Sequence, residues 1–508
     1  MVATLPFNSK PATLVIRADA GPRIGHGHFM RCLALGQAWR DRGGEVQFIT
    51  ACSNEKLLSY LDEEDFGVIQ LENAYPATCD SKATRELMKS LPEGWLVIDG
   101  YHFDCAYEKE VSGPGWRLMI VDDTATDRHY FPDVIFNQNL HAPKLHYACE
   151  RETKLLLGAK YILLRREFLE WRAWRRNIPE KARKVLVTLG GSDPENTTSK
   201  VIRALQASEL NGIEATIVAG ANNPRFGEIE DTIRSSGVQA RLVQEAKMPE
   251  LMAWADVAIS GAGSTCWELA FLGTPALVLI ASENQAPIAA ELDAAGVAKS
   301  LGWQKAVSIE ALTRELASLL ADSERRAEMS RRGKELVDGY GAERVVMALR
   351  GVRLRLRPAE EGDCTLLWHW ANEPEVRARS FSTAAIPWED HRAWFARKLA
   401  DRNCRIFIGF NDQDQPVGQV RFEIDPNGEA EVGVSIAKTH RGCGYGAPLL
   451  AAAAEELVRS SHVRTIHAFV KPDNPSSMRA FEKASFTCHG DTTEKGEHAL
   501  HYSLGRTA

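Results

Sequence analysis

Apolar positions along this chain fall into three successive patterns. Thr13 to Arg17 is a short apolar run ending at Asp19 and a glycine-rich turn, and Phe29 to Arg40 spaces its apolar residues at helical intervals. A strand, a loop and a helix are predicted. Strand-like runs follow at Val46 to Thr50, Trp95 to Ile98, Leu118 to Val121 and Val134 to Phe136, separated by helical or loop segments. Such alternation predicts a parallel sheet covered by helices. Lys184 to Thr188, Ala215 to Val218, Ala240 to Leu242, Val257 to Ser260 and Ala276 to Ile280 form a second series, with helical stretches at Thr197 to Ala207 and Ile309 to Ala321. The pattern changes again at Gly351. Val352 to Pro358 alternates apolar and basic residues as a first strand does, Glu431 to Ile436 alternates likewise, and Pro448 to Val458 is alanine-rich and helical.

A chain of 508 residues is too long for one core, and three α/β domains are expected, at 11–165, 183–345 and 351–508. Apolar content of 44% and charged content of 25% are ordinary globular values. The net charge of -7 is spread along the chain, which argues against a nucleic-acid partner. One basic run, Arg165 to Lys184, is broken by Glu167, Glu170 and Glu180 and carries Trp171 and Trp174, as a solvated amphipathic connector does. The 10 cysteines are scattered without metal-ligand spacing, so reduced thiols and no metal are expected. No charged segment followed by an apolar run opens the chain, and no stretch approaches the length of a membrane span. The expectation is a soluble, cytoplasmic protein without membrane insertion.

The run Arg441-Gly442-Cys443-Gly444-Tyr445-Gly446-Ala447 joins a predicted strand to a predicted helix. A strand, glycine turn and helix N-terminus cradle a pyrophosphate through backbone N–H groups. The spacing Arg-x-x-Gly-x-Gly resembles the acetyl-CoA loop of the GNAT N-acetyltransferases. That resemblance implies acetyl-CoA as co-substrate, held by Arg441, Gly442, Gly444, Tyr445, Gly446 and Ala447. Backbone groups at Val434 and Ile436 would bond the pantetheine, and Glu431 would relay a proton from the acceptor amine. Val470 to Ser477 and Phe481 to Phe486 resemble the second CoA-side motif, with Asn474 matching an asparagine that contacts CoA. Two residues depart from the pattern. Phe481 stands where many relatives carry a tyrosine acid, and phenylalanine donates no proton. Ser485 replaces a common glycine. Trp370 to Arg377 and Glu389 to Trp394 resemble the acceptor-side helices of ribosomal-protein acetyltransferases and of an enzyme that acetylates a UDP-4-amino-sugar. His391 among them reads as either a base or a helix-surface residue.

Upstream, Ile24-Gly25-His26-Gly27-His28 joins the first strand to the first helix. Its glycines let backbone approach a ligand, and a histidine at a helix N-terminus suits a general base acting on water, or a plain cap. Two consecutive Rossmann-like halves resemble the GT-B architecture, in which a nucleotide-sugar lies in the cleft between them. Arg17-Ala18-Asp19, Ile24 to Cys32, Ile98 to Tyr101, Val121 to Asp123, Asn137 to Asn139, Gly190 to Asp193, Gly263 to Glu268 and Asn284-Gln285 resemble, in order, the UDP-sugar hydrolase of pseudaminic acid biosynthesis. The resemblance covers roughly residues 12 to 345. It implies His28 as the water-activating residue, Tyr101 in the sugar site and Asn284 in the cleft, with Arg17, Asp19, Gly25, Gly27 and Gln285 on the substrate side. Gly190-Gly191-Ser192 and Gly263-Ser264-Thr265 offer two anion sites after strands, and Glu268 can accept from ribose hydroxyls. Asp99, Asp122 and Asp123 stand at strand ends, where sugar contacts and turn roles are both open. The implied function is sequential: acetyl-CoA-dependent N-acetylation of a UDP-4-amino-sugar, then hydrolytic removal of UDP, with UDP-linked amino-sugars as the binding partners. A GT-B glycosyltransferase fused to a protein or other amine acetyltransferase uses the same pockets and is the competing reading.

Overall fold

The computed structural model describes residues 13–505 except 22–23, 74, 127–128, 191–192, 194, 208–211, 220–222, 224, 245 and 353. Contacts divide the chain into a unit reaching Val346 and a unit from Met347 onward. In the first, β1 (Thr13–Ala18), β2 (Glu45–Thr50), β3 (Gly67–Gln70), β4 (Gly94–Asp99), β5 (Trp116–Val121), β6 (Val134–Asn137) and β7 (Lys154–Leu157) form a sheet in the order β3-β2-β1-β4-β5-β6-β7. Every pairing is parallel. All residues of β1 are buried, as expected of a strand covered on both faces. The strand order reverses between β1 and β4, and the crevice at such a switch point is where α/β sheets hold ligands. Helix α1 (Gly27–Arg40) starts above that crevice.

A second parallel sheet contains β8 (Lys184–Thr188), β9 (Glu214–Val218), β10 (Ala240–Val243), β11 (Val257–Gly261), β12 (Ala276–Ile280) and β13 (Ala298–Trp303), in the order β10-β9-β8-β11-β12-β13. Its switch point lies between β8 and β11. Gly190 follows β8 after Leu189, and α2 (Thr265–Leu272) follows β11 after a short glycine-rich turn. Each of these turns follows the C-terminal end of its strand and so lies at the carboxyl edge of the sheet, beside the switch point. Within this unit the two sheets' domains meet through ion pairs, Lys144 with Glu291 at 2.6 Å and Arg165 with Glu268 at 3.1 Å.

The unit from Met347 holds a third sheet: β14 (Arg355–Pro358), β15 (Cys404–Phe410), β16 (Pro416–Ile424), β17 (Glu429–Ile436), β18 (Thr465–Val470), β19 (Thr487–Glu494) and β20 (Glu497–Gly505), in the order β14-β15-β16-β17-β18-β20-β19. Pairing is antiparallel except between β17 and β18. That parallel register runs only from Glu429 opposite Thr465 to Glu431 opposite His467, although β17 continues to Ile436 and β18 to Val470. The strands part beyond Glu431, and each turns a backbone edge toward the gap. Helices α3 (Gly446–Ser460) and α4 (Pro475–Lys483) cover one face, packing Leu449, Leu450, Leu457 and Phe481 on Ala430, Val432 and Ile466. Helices Cys364–Ala371 and Trp388–Ala400 pack Leu367, Trp370 and Phe395 on the alternate residues Ile406 and Ile408, hence on the other face.

Candidate active sites

At the first switch point, His28 stands in the first turn of α1, 6% exposed. Its Nδ1 lies 2.6 Å from Oδ1 of Asp99, the fully buried last residue of β4. An ionised carboxylate can only accept, so Nδ1 carries the hydrogen and Nε2 is the basic nitrogen. Arg31, one turn further along α1, grips the same carboxylate through Nε at 2.6 Å and Nη2 at 2.7 Å. Burial pushes the Asp99 pKa up, but Arg31 and His28 outweigh it and hold the carboxyl well below its usual range. The Arg31 Nη1 also bonds Asp123, which accepts from Tyr101 Oη at 2.9 Å and Asn139 Nδ2 at 2.8 Å. Tyr101 presents its ring edge-on to His28 at 4.7 Å and is half exposed. Asn284, from the second sheet's domain, donates to Tyr101 Oη at 3.2 Å. One constellation thus gathers His28, Asp99, Arg31, Asp123, Tyr101 and Asn284.

The strand-end carboxylates now separate by role. Asp99 is saturated by protein groups and orients His28, Asp123 ties Tyr101 to Arg31, and Asp122 accepts from the Thr124 and Ala125 amides in its own turn. Sequence reasoning left Asp99 unassigned and missed Arg31. Arg17 requires a correction. It is 0% exposed, and its Nε, Nη1 and Nη2 are all taken by Asp80 and Asp19. Asp19 is likewise spent on Arg17, the Ala51 amide and His102 Nε2 at 3.1 Å. This pair forms buried scaffolding under the crevice rather than a substrate-facing surface.

Gly25 in the turn before α1 and Gly190 after β8 both have positive φ, +80° and +93°, which favours glycine at these turns. Gly191 and Ser192 lie outside the described residues. A Cβ on Gly27 would stand 3.5 Å from Ser264 Oγ, and one on Gly263 3.6 Å from Gln285 Nε2. The α1 turn therefore faces the N-terminus of α2, where Ser264 is the N-cap and Thr265 the first helical residue. Gln285 caps its own loop by accepting from the Ala281 amide at 2.9 Å. Glu268 pairs with Arg165, and burial pushes its carboxyl pKa up against that pairing.

In the other unit, Gly442 and Gly444 have φ of +77° and +84°, and α3 begins at Gly446 with its amides opening onto the loop. A Cβ on Gly446 would meet Ala480 Cβ at 3.2 Å, a tight contact that glycine avoids where α3 lies against α4. Ala447 follows inside the first turn of α3. Arg441 is drawn to Glu375 at 2.9 Å and to Glu373. The Tyr445 side chain is 1% exposed and packs inward with Met347 and Cys443, so its backbone is what it presents to the loop. Val434 and Ile436 lie on β17 past the point where β18 diverges, and Glu431 stands exposed at that apex. Asn474 is the N-cap of α4, its Oδ1 accepting from the Ser477 amide and from Arg379 Nη1, both at 3.2 Å. Phe481 is buried in the core, and Ser485 sits at φ +66°, the conformation that makes glycine common there. His391 is 3% exposed and donates to the Cys364 carbonyl, so it is neither a base facing an acceptor nor a surface residue.

Among the described residues no group of three or more His, Cys, Asp or Glu side chains is arranged to hold a metal ion. No helix among them is long and apolar enough to cross a membrane.

The family models that match are an acetyltransferase (GNAT) domain over residues 353–487 and a glycosyltransferase family 28 C-terminal domain over residues 185–341. The chain is 21% identical over 493 residues to an uncharacterised protein of Methanocaldococcus jannaschii, covering 93% of this chain and 96% of that one. It is 25% identical over 337 residues to the spore coat polysaccharide biosynthesis protein SpsG of Bacillus subtilis, covering 66% of this chain and 97% of SpsG. It is also 25% identical over 230 residues to a pseudaminic acid cytidylyltransferase and UDP-2,4-diacetamido-2,4,6-trideoxy-β-L-altropyranose hydrolase of Helicobacter pylori, covering 44% of this chain and 40% of that protein. The chain is thus an enzyme that joins a GT-B-like pair of Rossmann-like domains, homologous to a UDP-sugar hydrolase, to a GNAT acetyltransferase domain.

Proposed function

We propose that the chain performs two consecutive steps on one nucleotide-sugar. The GNAT domain acetylates the 4-amino group of UDP-4-amino-4,6-dideoxy-β-L-AltNAc with acetyl-CoA. The GT-B-like pair then hydrolyses UDP from the resulting UDP-2,4-diacetamido-2,4,6-trideoxy-β-L-altropyranose. What supports the hydrolytic half most is the His28–Asp99 pair, which prepares Nε2 to take a proton from water. The water oxygen bonds the anomeric carbon, the bond from that carbon to the diphosphate breaks, and its electron pair leaves with UDP. Backbone amides at the N-terminus of α2 favour the departing phosphate. The fusion supports the acetyl half, because the hydrolase substrate carries the acetamido group that such a domain installs. Acetyl-CoA is the co-substrate, and neither step calls on a metal ion.

The family 28 match favours one competing reading, transfer of the sugar to an acceptor hydroxyl. Incubation with acetyl-CoA and the UDP-4-amino-sugar, followed by mass spectrometry, separates the two. Free diacetamido sugar and UDP are expected. Acetylated UDP-sugar that persists until an acceptor is added would replace hydrolysis by transfer.

A further inference from the structure

The GNAT site lacks its usual acid. Phe481 fills the position where a tyrosine would protonate the departing sulfur, and it is 3% exposed in the core beside Phe486 and Tyr502. Tyr502 offers no substitute, since its hydroxyl is directed to Glu482 at 3.5 Å and its ring belongs to the α3/α4 face. A group near the place where β17 and β18 part can handle that proton instead.

That place is occupied by histidines. His467 is the last β18 residue in register with β17, directly opposite Glu431. Ile466 and Ala468 on either side of it point into the α3/α4 core, so His467 projects from the opposite face. Glu429 and Glu431 share that face. The His467 Nδ1 lies 3.0 Å from Nε2 of His501 on β20. His501 is stacked against Phe469 at 5.2 Å and lies 5.0 Å from His489. Burial, with His467 and His489 beside it, lowers its pKa, so it serves His467 as a neutral partner. The other nitrogen of His467, Nε2, is closed off from water with no hydrogen-bond partner; its nearest charged group is the mostly exposed Glu429 carboxylate at 3.7 Å. A buried polar atom without a partner is costly, and it marks where a hydrogen-bonding group is missing.

We propose that His467, held by His501, is the catalytic residue that handles the proton in acetyl transfer. The proposal rests on the acetyl half of the function above. The acceptor nitrogen attacks the thioester carbonyl, the C–N bond forms, the C–S bond breaks and the electron pair leaves on sulfur. The nitrogen surrenders one proton to His467 Nε2, and the imidazolium returns one to the thiolate, giving amide and free CoA with no net proton change. Glu429 moves aside as the acceptor enters. An imidazole changes charge nearer neutrality than a carboxylate, which suits both transfers better than Glu431 alone.

The test uses the full chain, acetyl-CoA and the UDP-4-amino-sugar. His467→Ala and His467→Gln should each lower kcat for acetyl transfer by roughly 100-fold or more, with the KM for acetyl-CoA little changed. Gln retains a hydrogen bond to His501 but cannot carry the proton, so a merely structural histidine would be rescued by it. His501→Ala should lower kcat less and alter its pH profile, to which Glu429, Glu431, His489 and His467 also contribute. CoA binding by calorimetry and UDP-sugar hydrolysis report that each variant is folded. A kcat for His467→Gln within about threefold of wild type would overturn the proposal. Wild-type protein inert on this sugar but active on another amine would instead overturn the substrate reading, and the same variants measured on that amine would still decide His467.

Discussion

Asp99 settles which nitrogen of His28 is basic, and it does so from 71 residues away. The carboxylate is kept ionised by Arg31 and His28 against the penalty of its burial. Asp99→Asn keeps the shape but can place an amide N–H against Nδ1, which would put the hydrogen on Nε2 and remove the base. UDP release by this variant should fall ~100- to 10,000-fold, as in His28→Ala, while acetyl transfer is retained. Hydrolysis within threefold of wild type would remove Asp99 from the mechanism. Arg17 supplies a contrasting residue. It neutralises Asp19 and Asp80, both at most 2% exposed, so Arg17→Met leaves two buried carboxylates without their cation. Denaturant titration should show a loss of about 3–5 kcal/mol. Unchanged stability with a raised KM for the UDP-sugar would return Arg17 to the substrate.

At the scale of elements, the turn after α4 shows how a local rule survives a substitution. Ser485 occupies the left-handed region at φ +66°, a conformation that costs a non-glycine residue about 1–2 kcal/mol. Ser485→Gly should raise thermal stability by a fraction of that, since glycine loses more freedom on folding, and should leave acetyl transfer unchanged. A lower melting temperature would show that the serine earns its place by a contact instead. The central strands β1, β4, β8, β11 and β12 were legible because burial on both faces leaves continuous apolar runs. The edge strands β3, β7 and β13 were not read, whereas the edge strand β10 was read to within one residue. The three unread strands mix exposed and buried positions, Leu155 and Trp303 being among the exposed ones, and the apolar signal weakens accordingly. The glycine turns were legible too, since positive φ leaves its mark on composition. Side-chain partners were not. Arg17 beside Asp19 reads as a polar pair at a strand end, and only the packing of Asp80 against it reveals a buried ion-pair network. Tyr445 falls inside a ligand loop by sequence, yet its ring turns into the core with Met347. The divergence of β17 from β18 is equally silent, because it is a matter of register, and alternation continues through Ile436 whether or not a neighbour is present.

On the scale of the molecule, each unit contains a full set of candidate groups for its own chemistry. His28, Asp99, Tyr101, Asn284 and the N-terminus of α2 all precede Val346, whereas Glu431, His467, His501 and the Gly442–Gly446 turn all follow Met347. Neither set borrows a residue from the other, so the two reactions should fail independently. Gly444 gives the cleanest separation. At φ +84° a β-branched side chain is strained whatever the space around it, although its Cβ would stand only in ordinary contact with Val352 Cγ2 at 3.5 Å. In the full-length chain, Gly444→Val should abolish acetyl transfer by displacing the loop that receives the CoA pyrophosphate. Hydrolysis of chemically supplied UDP-2,4-diacetamido sugar should continue at the wild-type rate. The discriminating measurement is that second rate, taken on protein whose unfolding profile matches wild type. A proportional loss of hydrolysis would mean that the hydrolytic site depends on the acetyltransferase loop, whereas an unchanged rate assigns the two activities to separate sites on one chain.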